Sequence, residues 1–224
     1  MKCSICRQIA TIGLMIIAPL VTAAPSPEDV SFPTADGGRV DADLYGSGTH
    51  GVVFAHGAIF NKQSWAPLAK RIASHKGYRA LAIDFRGYGK SSAGSEPDAL
   101  YLDVMAAVRW LHKQGVKDVD LVGGSMGGGA SGEAATRLKS GELNKLVLLS
   151  AMPIDNPEDI KAKSILFIAS RHEGLAPTVQ TQYDHAPNPK KLIFLDGSAH
   201  AQNIFATDQA QNLSDDITDF ILGK

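Results

Sequence analysis

Beyond position 6 the chain has no cysteine, since Cys3 and Cys6 are the only two. Everything after the first few residues is therefore without a disulfide, a thiol nucleophile or a cysteine-based metal site. An excess of either charge is also missing. Twenty-two Lys and Arg face twenty-three Asp and Glu, a formal net charge of -1, so no electrostatic footprint selects nucleic acid or an anionic membrane surface. There is no internal repeat, heptad run or low-complexity tract. The most apolar stretch, IATIGLMIIAPLV, is short for a bilayer span and is interrupted by Pro19.

That stretch has another reading. Lys2 and Arg7 precede it and the small residues of TAAPSPED follow it, with Val21 and Ala23 placed for cleavage before Ala24. This is the order of a secretory signal peptide. Residues 1–23 are thus expected to be removed, and residues 24–224 to form one domain, secreted or periplasmic and without stable membrane association. Loss of Lys2 and Arg7 takes the charge from -1 to -3. No cysteine follows the apolar run to accept a lipid anchor. With 44% hydrophobic and 20% charged residues, the chain has the composition of one soluble domain with a real core.

After Ala24, strand-like and helix-like segments alternate. Two extended pieces flank Asp36-Gly37-Gly38, which predicts a hairpin. GVVFAHG, RALAIDF, DVDLVGG, NKLVLLSA, SILFIAS and KKLIFLDG are short apolar runs of the kind that form buried strands. Between and after them, helical spacing brings together Trp65, Leu68, Ile72 and Ala73, then Leu102, Met105, Val108 and Leu111, and last Leu213, Ile217, Phe220 and Ile221. The pattern predicts an α/β fold: a mostly parallel sheet with helices on both faces and the antiparallel hairpin at one edge. Chemistry in such folds collects in the loops beyond the carboxyl ends of the strands.

One of those loops is DLVGGSMGGGASG. Five glycines, Gly123, Gly124, Gly127, Gly128 and Gly129, clear the side chains from around Ser125 and Met126. A serine hydroxyl reacts only if it is exposed, aimed and served by a base. A sharp strand-to-helix turn exposes and aims it, and small neighbours let the backbones nearly touch. The Met126 N–H, at the helix start, is then free for a developing oxyanion. Two rival motifs fail on position. Gly127-x-Gly129-x-x-Gly132 lies inside the helix and lacks the following ribose-binding acid, and Asp84 stands where a P-loop ending in GYGKSS needs its first glycine.

Further strand ends supply partners. His56-Gly57 ends a strand and leaves the Ala58 N–H as a second oxyanion donor, with His56 bracing its own loop. Of the seven histidines, His50, His75, His112 and His185 fall in linkers or on helix surfaces, where a solvated ring is expected. His200 follows the final strand among small residues, which suits a general base. Its orienting carboxylate is Glu173 or Asp155, both in the order Ser, acid, His, with Glu173 favoured by its place after the penultimate strand. Asp196 is too close in sequence to orient His200 easily. His172, Glu173 and His200 have no recognised metal-ligand spacing, so neither metal nor organic cofactor is expected.

HGAIF, DFRGYGKS, GGSMGGG, ASRHEGLAP and GSAHA, in this order from about Gly51 to the C-terminus, resemble the α/β-hydrolase family. The resemblance implies an eight-stranded sheet and an acyl-enzyme formed by a triad of Ser125, Glu173 and His200, with Ala58 and Met126 as the oxyanion donors. It casts Arg86 and Asp84 as structural. Gly124 stands where the family commonly has a larger residue, which is expected to widen the space beside the nucleophile. Glu173 replaces the commoner aspartate. About ten residues join VLLSAMP to SILFIAS, which leaves no room for a cap domain and implies an open site. Ile59, Phe60, Met152 and Leu175 are the expected substrate-lining residues. The function implied is an exported carboxylic-ester hydrolase acting on a small-molecule acyl substrate. Thioesterase, lactonase, peptidase or perhydrolase chemistry, or a binding protein that kept the fold without turnover, are its alternatives.

Overall fold

In the computed structural model, which describes residues 26–224, eight strands alternate with helices. The expected signal peptide and its cleavage point lie outside the described residues. Strands β1 (Glu28–Pro33) and β2 (Arg39–Gly46) pair antiparallel, from Glu28 opposite Leu44 to Pro33 opposite Arg39. This is the hairpin expected around Asp36-Gly37-Gly38. The sheet continues with β3 (His50–Ala55), β4 (Tyr78–Asp84), β5 (Asp118–Gly124), β6 (Leu143–Leu149), β7 (Ala162–Ser170) and β8 (Lys190–Leu195). Its spatial order is β1-β2-β4-β3-β5-β6-β7-β8. β2 is antiparallel to both neighbours, and every pairing from β4 to β8 is parallel.

The exchange of β3 and β4 positions the chemistry. The chain leaves β3 toward one edge, returns through β4, and crosses over to β5 on the other side of β3. The loops after β3 and β5 therefore diverge from neighbouring strand ends, Ala55 beside Gly123, and open a crevice between them.

Alternate residues of each strand supply the two core layers, as the period of two requires. Val53, Ala55, Leu121 and Leu146 face α2 (Leu100–Lys113), α3 (Met126–Arg137) and α4 (Ala176–His185). Val52, Phe54, Val122 and Val147 face α1 (Ala66–Ala73) and α5 (Ala210–Leu222). On α5, Leu213, Ile217 and Ile221 are fully buried, each contributing about 1.5–3 kcal/mol of burial free energy. On α2, Leu102 is only half-buried, and the fully buried Asp103 joins the inner face.

The β6–β7 connection contains only a short 3-10 helix, Pro157–Asp159, so no cap domain sits over the crevice. Below it, the Lys62 ammonium lies 2.6 Å from Asp41 and 2.9 Å from Asp43, both on one face of β2. Burial pulls its pKa down, but the two carboxylates outweigh that and hold it above the ordinary lysine value. The Lys62 N–H also donates to Asp84 Oδ1 at 2.8 Å. The loop after β3 is thus bolted from behind to β2 and β4, in keeping with a structural role for Asp84.

Candidate active site

Ser125 is the single residue between β5 and α3, with φ 53° and ψ -117°. A non-glycine residue held there costs about 1–3 kcal/mol and must be over-determined by its surroundings. It is. The Ser125 N–H donates to Leu149 O at 2.9 Å, and its carbonyl accepts from Gly129 N and Met152 N, each at 3.0 Å. The glycines answer for close approaches. A Cβ on Gly127 would lie 2.4 Å from Ala55 O, and one on Gly123 would lie 2.4 Å from Gly127 O.

Ser125 Oγ stands 2.7 Å from His200 Nε2. The other ring nitrogen, Nδ1, faces Glu173 Oε2. A carboxylate only accepts, so a neutral ring carries its proton on Nδ1 and leaves Nε2 to accept from the serine hydroxyl. Glu173 is buried, with its side chain 1% exposed, whereas His200 is 38% exposed at the surface. Its second oxygen is also engaged: Oε1 accepts from the Ser150 hydroxyl and from the Ser170 N–H at 3.0 Å. Ser150 Oγ in turn accepts from Ala201 N at 3.1 Å, and Ser170 Oγ donates to Ala199 O at 2.6 Å. The acid and the histidine loop are therefore held by the same two serines.

Ala58 occupies a turn closed by the Phe60 N–H donating to Gly57 O at 3.0 Å. Among the described residues, the N–H groups of Ala58 and Met126 donate to no other group of the chain, as a helix's first N–H and an open turn allow. Gly57 brings this turn against Ser125: a Cβ there would be 3.3 Å from Ser125 Cβ. His56 is fully buried and braces the turn. Phe85 N donates to its Nε2 at 3.2 Å, which puts the proton on Nδ1, 2.9 Å from Gly57 O. Burial depresses the His56 pKa, against weaker upward pulls from the Gly57 carbonyl and Asp84. Tyr88 completes the brace, its hydroxyl donating to Ala58 O at 2.8 Å and lying 4.0 Å from Met126 Sδ.

The rim is apolar and open. Ile59, which follows Ala58, is 81% exposed and Met152 44%, and Met152 adjoins Ser125 through its N–H. Phe60 and Leu175 are half-buried. Among the described residues, recesses of about 280–460 Å³ indent the surface away from Ser125 and His200, one of them bordered by Glu173. Among the described residues, no three His, Cys, Asp or Glu side chains gather as a metal-holding group.

Of the two candidate acids, the favoured Glu173 meets His200 and Asp155 is exposed. Other expectations need correcting. Gly124 does not widen the space beside the nucleophile. A Cβ there would be 3.1 Å from Gln202 Oε1 and 3.3 Å from Trp65 Cζ2, so that space is already filled. Two histidines expected to be solvated are anchored instead. His50 Nε2 is 2.7 Å from the buried Asp120, and the His112 ring lies between the Val116 and Glu142 carbonyls, 3.0 and 2.8 Å from its two nitrogens. The residues that sequence reasoning missed, Tyr88, Ser150, Ser170 and Gln202, share one signal: each is a polar residue in or beside a strand-end loop.

Residues 52–219 match the model of the alpha/beta hydrolase family. Among curated proteins, the chain is similar to the non-heme chloroperoxidase CPO-A1 of Kitasatospora aureofaciens, 36% identical over 123 residues, 54% of this chain and 43% of that one. It is also similar to a non-heme haloperoxidase of Rhodococcus erythropolis, 34% identical over 126 residues, 54% of this chain and 44% of that one. The chain spans less than half the length of these curated relatives. Among solved structures it resembles the Pyrococcus furiosus esterase Pf2001, with a TM-score of 0.71 at 22% identity over 87% of this chain and 91% of that one. An esterase of Exiguobacterium antarcticum gives a TM-score of 0.68 at 16% identity, covering 87% and 99%.

Proposed function

The chain belongs to the alpha/beta hydrolase family, and on that premise we propose that it is a serine hydrolase that cleaves carboxylic esters through an acyl-enzyme. The observation that carries the reading is the 2.7 Å approach of Ser125 Oγ to His200 Nε2, with buried Glu173 behind the ring. In this reading His200 takes the Ser125 proton as the oxygen attacks the carbonyl, and Glu173 stabilises the imidazolium. The N–H groups of Ala58 and Met126 receive the negative charge that develops on the carbonyl oxygen. His200 then protonates the leaving alcohol, and water, deprotonated by the same ring, releases the acid.

The open rim supports esters whose acyl or alcohol part projects into solvent, with Ile59 and Met152 covering its apolar surface. Phe60 and Leu175 are the further apolar side chains that this reading assigns to the substrate. Turnover of p-nitrophenyl esters, acetate through octanoate, tests the reading beside Ser125→Ala. The variant is expected to lose activity by ~10⁴-fold or more. Equal turnover by the two chains would sink the assignment of the nucleophile.

The similarity to proteins named non-heme chloroperoxidase and haloperoxidase favours a second reading of the last step. Hydrogen peroxide would replace water, its oxygen attacking the acyl-enzyme carbonyl to give a peracid and free Ser125. Peracid formation when peroxide is added to the ester assay is the test. Export completes the proposal. The protein is secreted or periplasmic, and the N-terminal residue of the exported form is expected to be Ala24.

A further inference from the structure

Gln202 stands two residues after His200, yet its amide reaches away from the histidine loop and into the crevice. The side chain is 4% exposed. Its Oε1 accepts from the Gly57 N–H at 2.7 Å, and its Nε2 donates to Ser64 Oγ at 2.5 Å. The same Oε1 is the nearest heavy atom to the place a Cβ would occupy on Gly57, at 3.2 Å, and on Gly124, at 3.1 Å. One amide group thus fills the gap between the loop after β3 and the residue preceding the nucleophile. The residue before the serine is Gly124, and the volume beside it is filled from the histidine side.

We propose that Gln202 is a positioning residue that fixes the loop carrying the Ala58 N–H against Ser125 and His200. The argument rests on the hydrolase reading and deepens it. Gly57 and Ala58 offer adjacent N–H groups, and only one direction can face the crevice. By taking the Gly57 N–H, Gln202 sets the His56–Gly57 peptide plane, while the next plane, which carries the Ala58 N–H, is held at the Gly57 carbonyl by His56 Nδ1 and Phe60 N. Tyr88 takes the Ala58 carbonyl and His56 the Gly57 carbonyl, so the Ala58 N–H is the one polar group of this dipeptide left without a partner in the chain. Because Gln202 is covalently next to Ala201, which Ser150 ties to the acid, the oxyanion loop and the Glu173–His200 pair share one frame.

Three full-length variants separate a hydrogen-bonding role from simple space filling. Gln202→Met keeps the volume and loses the acceptor, Gln202→Ala loses both, and Gln202→Glu keeps an acceptor. With p-nitrophenyl acetate, Gln202→Met and Gln202→Ala are expected to lower kcat by ~10- to 100-fold with KM within about twofold, because a displaced loop loses transition-state contacts and not ground-state binding. The shape of the kcat/KM profile against pH is expected to stay unchanged. Amide hydrogen exchange of Gly57, followed by NMR, should accelerate at least ~10-fold in Gln202→Met and remain slow in Gln202→Glu. Wild-type kcat in Gln202→Met would reduce Gln202 to a filler and overturn the proposal, as would unchanged Gly57 exchange. A wild-type chain that turns over no ester, with Gly57 still protected through Gln202, would overturn the hydrolase reading and leave the clasp standing.

Discussion

Glu173 shows how tightly the chemistry is set at the scale of one residue. A glutamate stands where the resemblance makes an aspartate commoner, and both of its oxygens are committed, one to His200 and the other to Ser150 and Ser170. Its backbone is tied too, with Glu173 N donating to Ser170 O at 3.4 Å and Ala176 N donating to Glu173 O at 3.3 Å. With the backbone tied in this way, an arm one methylene shorter sets the carboxylate back from its partners. Glu173→Asp is therefore expected to be poorly tolerated despite keeping the charge. Shortening the arm leaves either the serines or His200 unmet, and kcat should fall by ~100-fold, the scale of a 1 Å misplacement. Steady-state kinetics on a short ester decides it. A variant within twofold of wild type would mean that the loop follows the shorter arm and that the serine anchors do not hold it.

At the scale of elements, the junctions matter more than the strands and helices they join. Gly127 lies in the first turn of α3, where an added Cβ would sit 2.4 Å from Ala55 O and 2.6 Å from His56 O. Backbone oxygens in a central strand do not step aside, so Gly127→Ala must lift the start of α3 from β3. Overpacking of this kind costs about 1–3 kcal/mol. Here it would also move the Met126 N–H away from Ser125, so kcat should fall along with the urea midpoint. Most of the elements were legible beforehand because apolar runs of strand length alternate with helical stripes, and each pattern names its own period. The exchange of β3 and β4 was not, because neighbouring strands are chosen by contacts far apart in sequence. The same distinction holds in the crevice. Ser125, His200 and Glu173 announce themselves by their place after strands, and the structure brings them together. Gln202 and Ser150 are isolated polar residues, and only the folded chain puts them 2.7 Å from Gly57 N and 3.1 Å from Ala201 N.

For the whole molecule, the telling feature lies away from the nucleophile. Arg86 is 1% exposed and sits between Asp36, at 2.9 Å, and Asp103, at 2.8 Å. It joins the turn of the hairpin to the loop after β4 and to α2, beside the Arg39–Ser92 backbone pair and the Phe32–Trp110 stack. The two carboxylates respond to acid with opposite sign. The Thr34 hydroxyl hydrogen bond holds Asp36 far below the ordinary carboxylate range against the opposing effect of burial, with help from Arg86 and the Glu96 N–H. A depressed native pKa contributes stability that is complete above the unfolded carboxylate value, near pH 4, and drains away as the pH falls below it. Burial pushes Asp103 up, with Arg86 pulling against it, so its contribution fades as the pH rises instead. Acidification therefore removes support on the hairpin side while relaxing a cost on the α2 side, and a single pH titration of the wild type mixes the two. Asp36→Asn separates them. At pH 7 its Tm should lie below wild type by roughly 2–8 °C, from the loss of a charge-assisted bond in a domain of this size. The gap should narrow steadily below pH 4, because the unfolded wild-type chain then takes up a proton at Asp36 that the native chain does not. A gap that stays constant down to pH 3 would place the stabilisation in the shape of the Asp36 side chain and not in its ionisation.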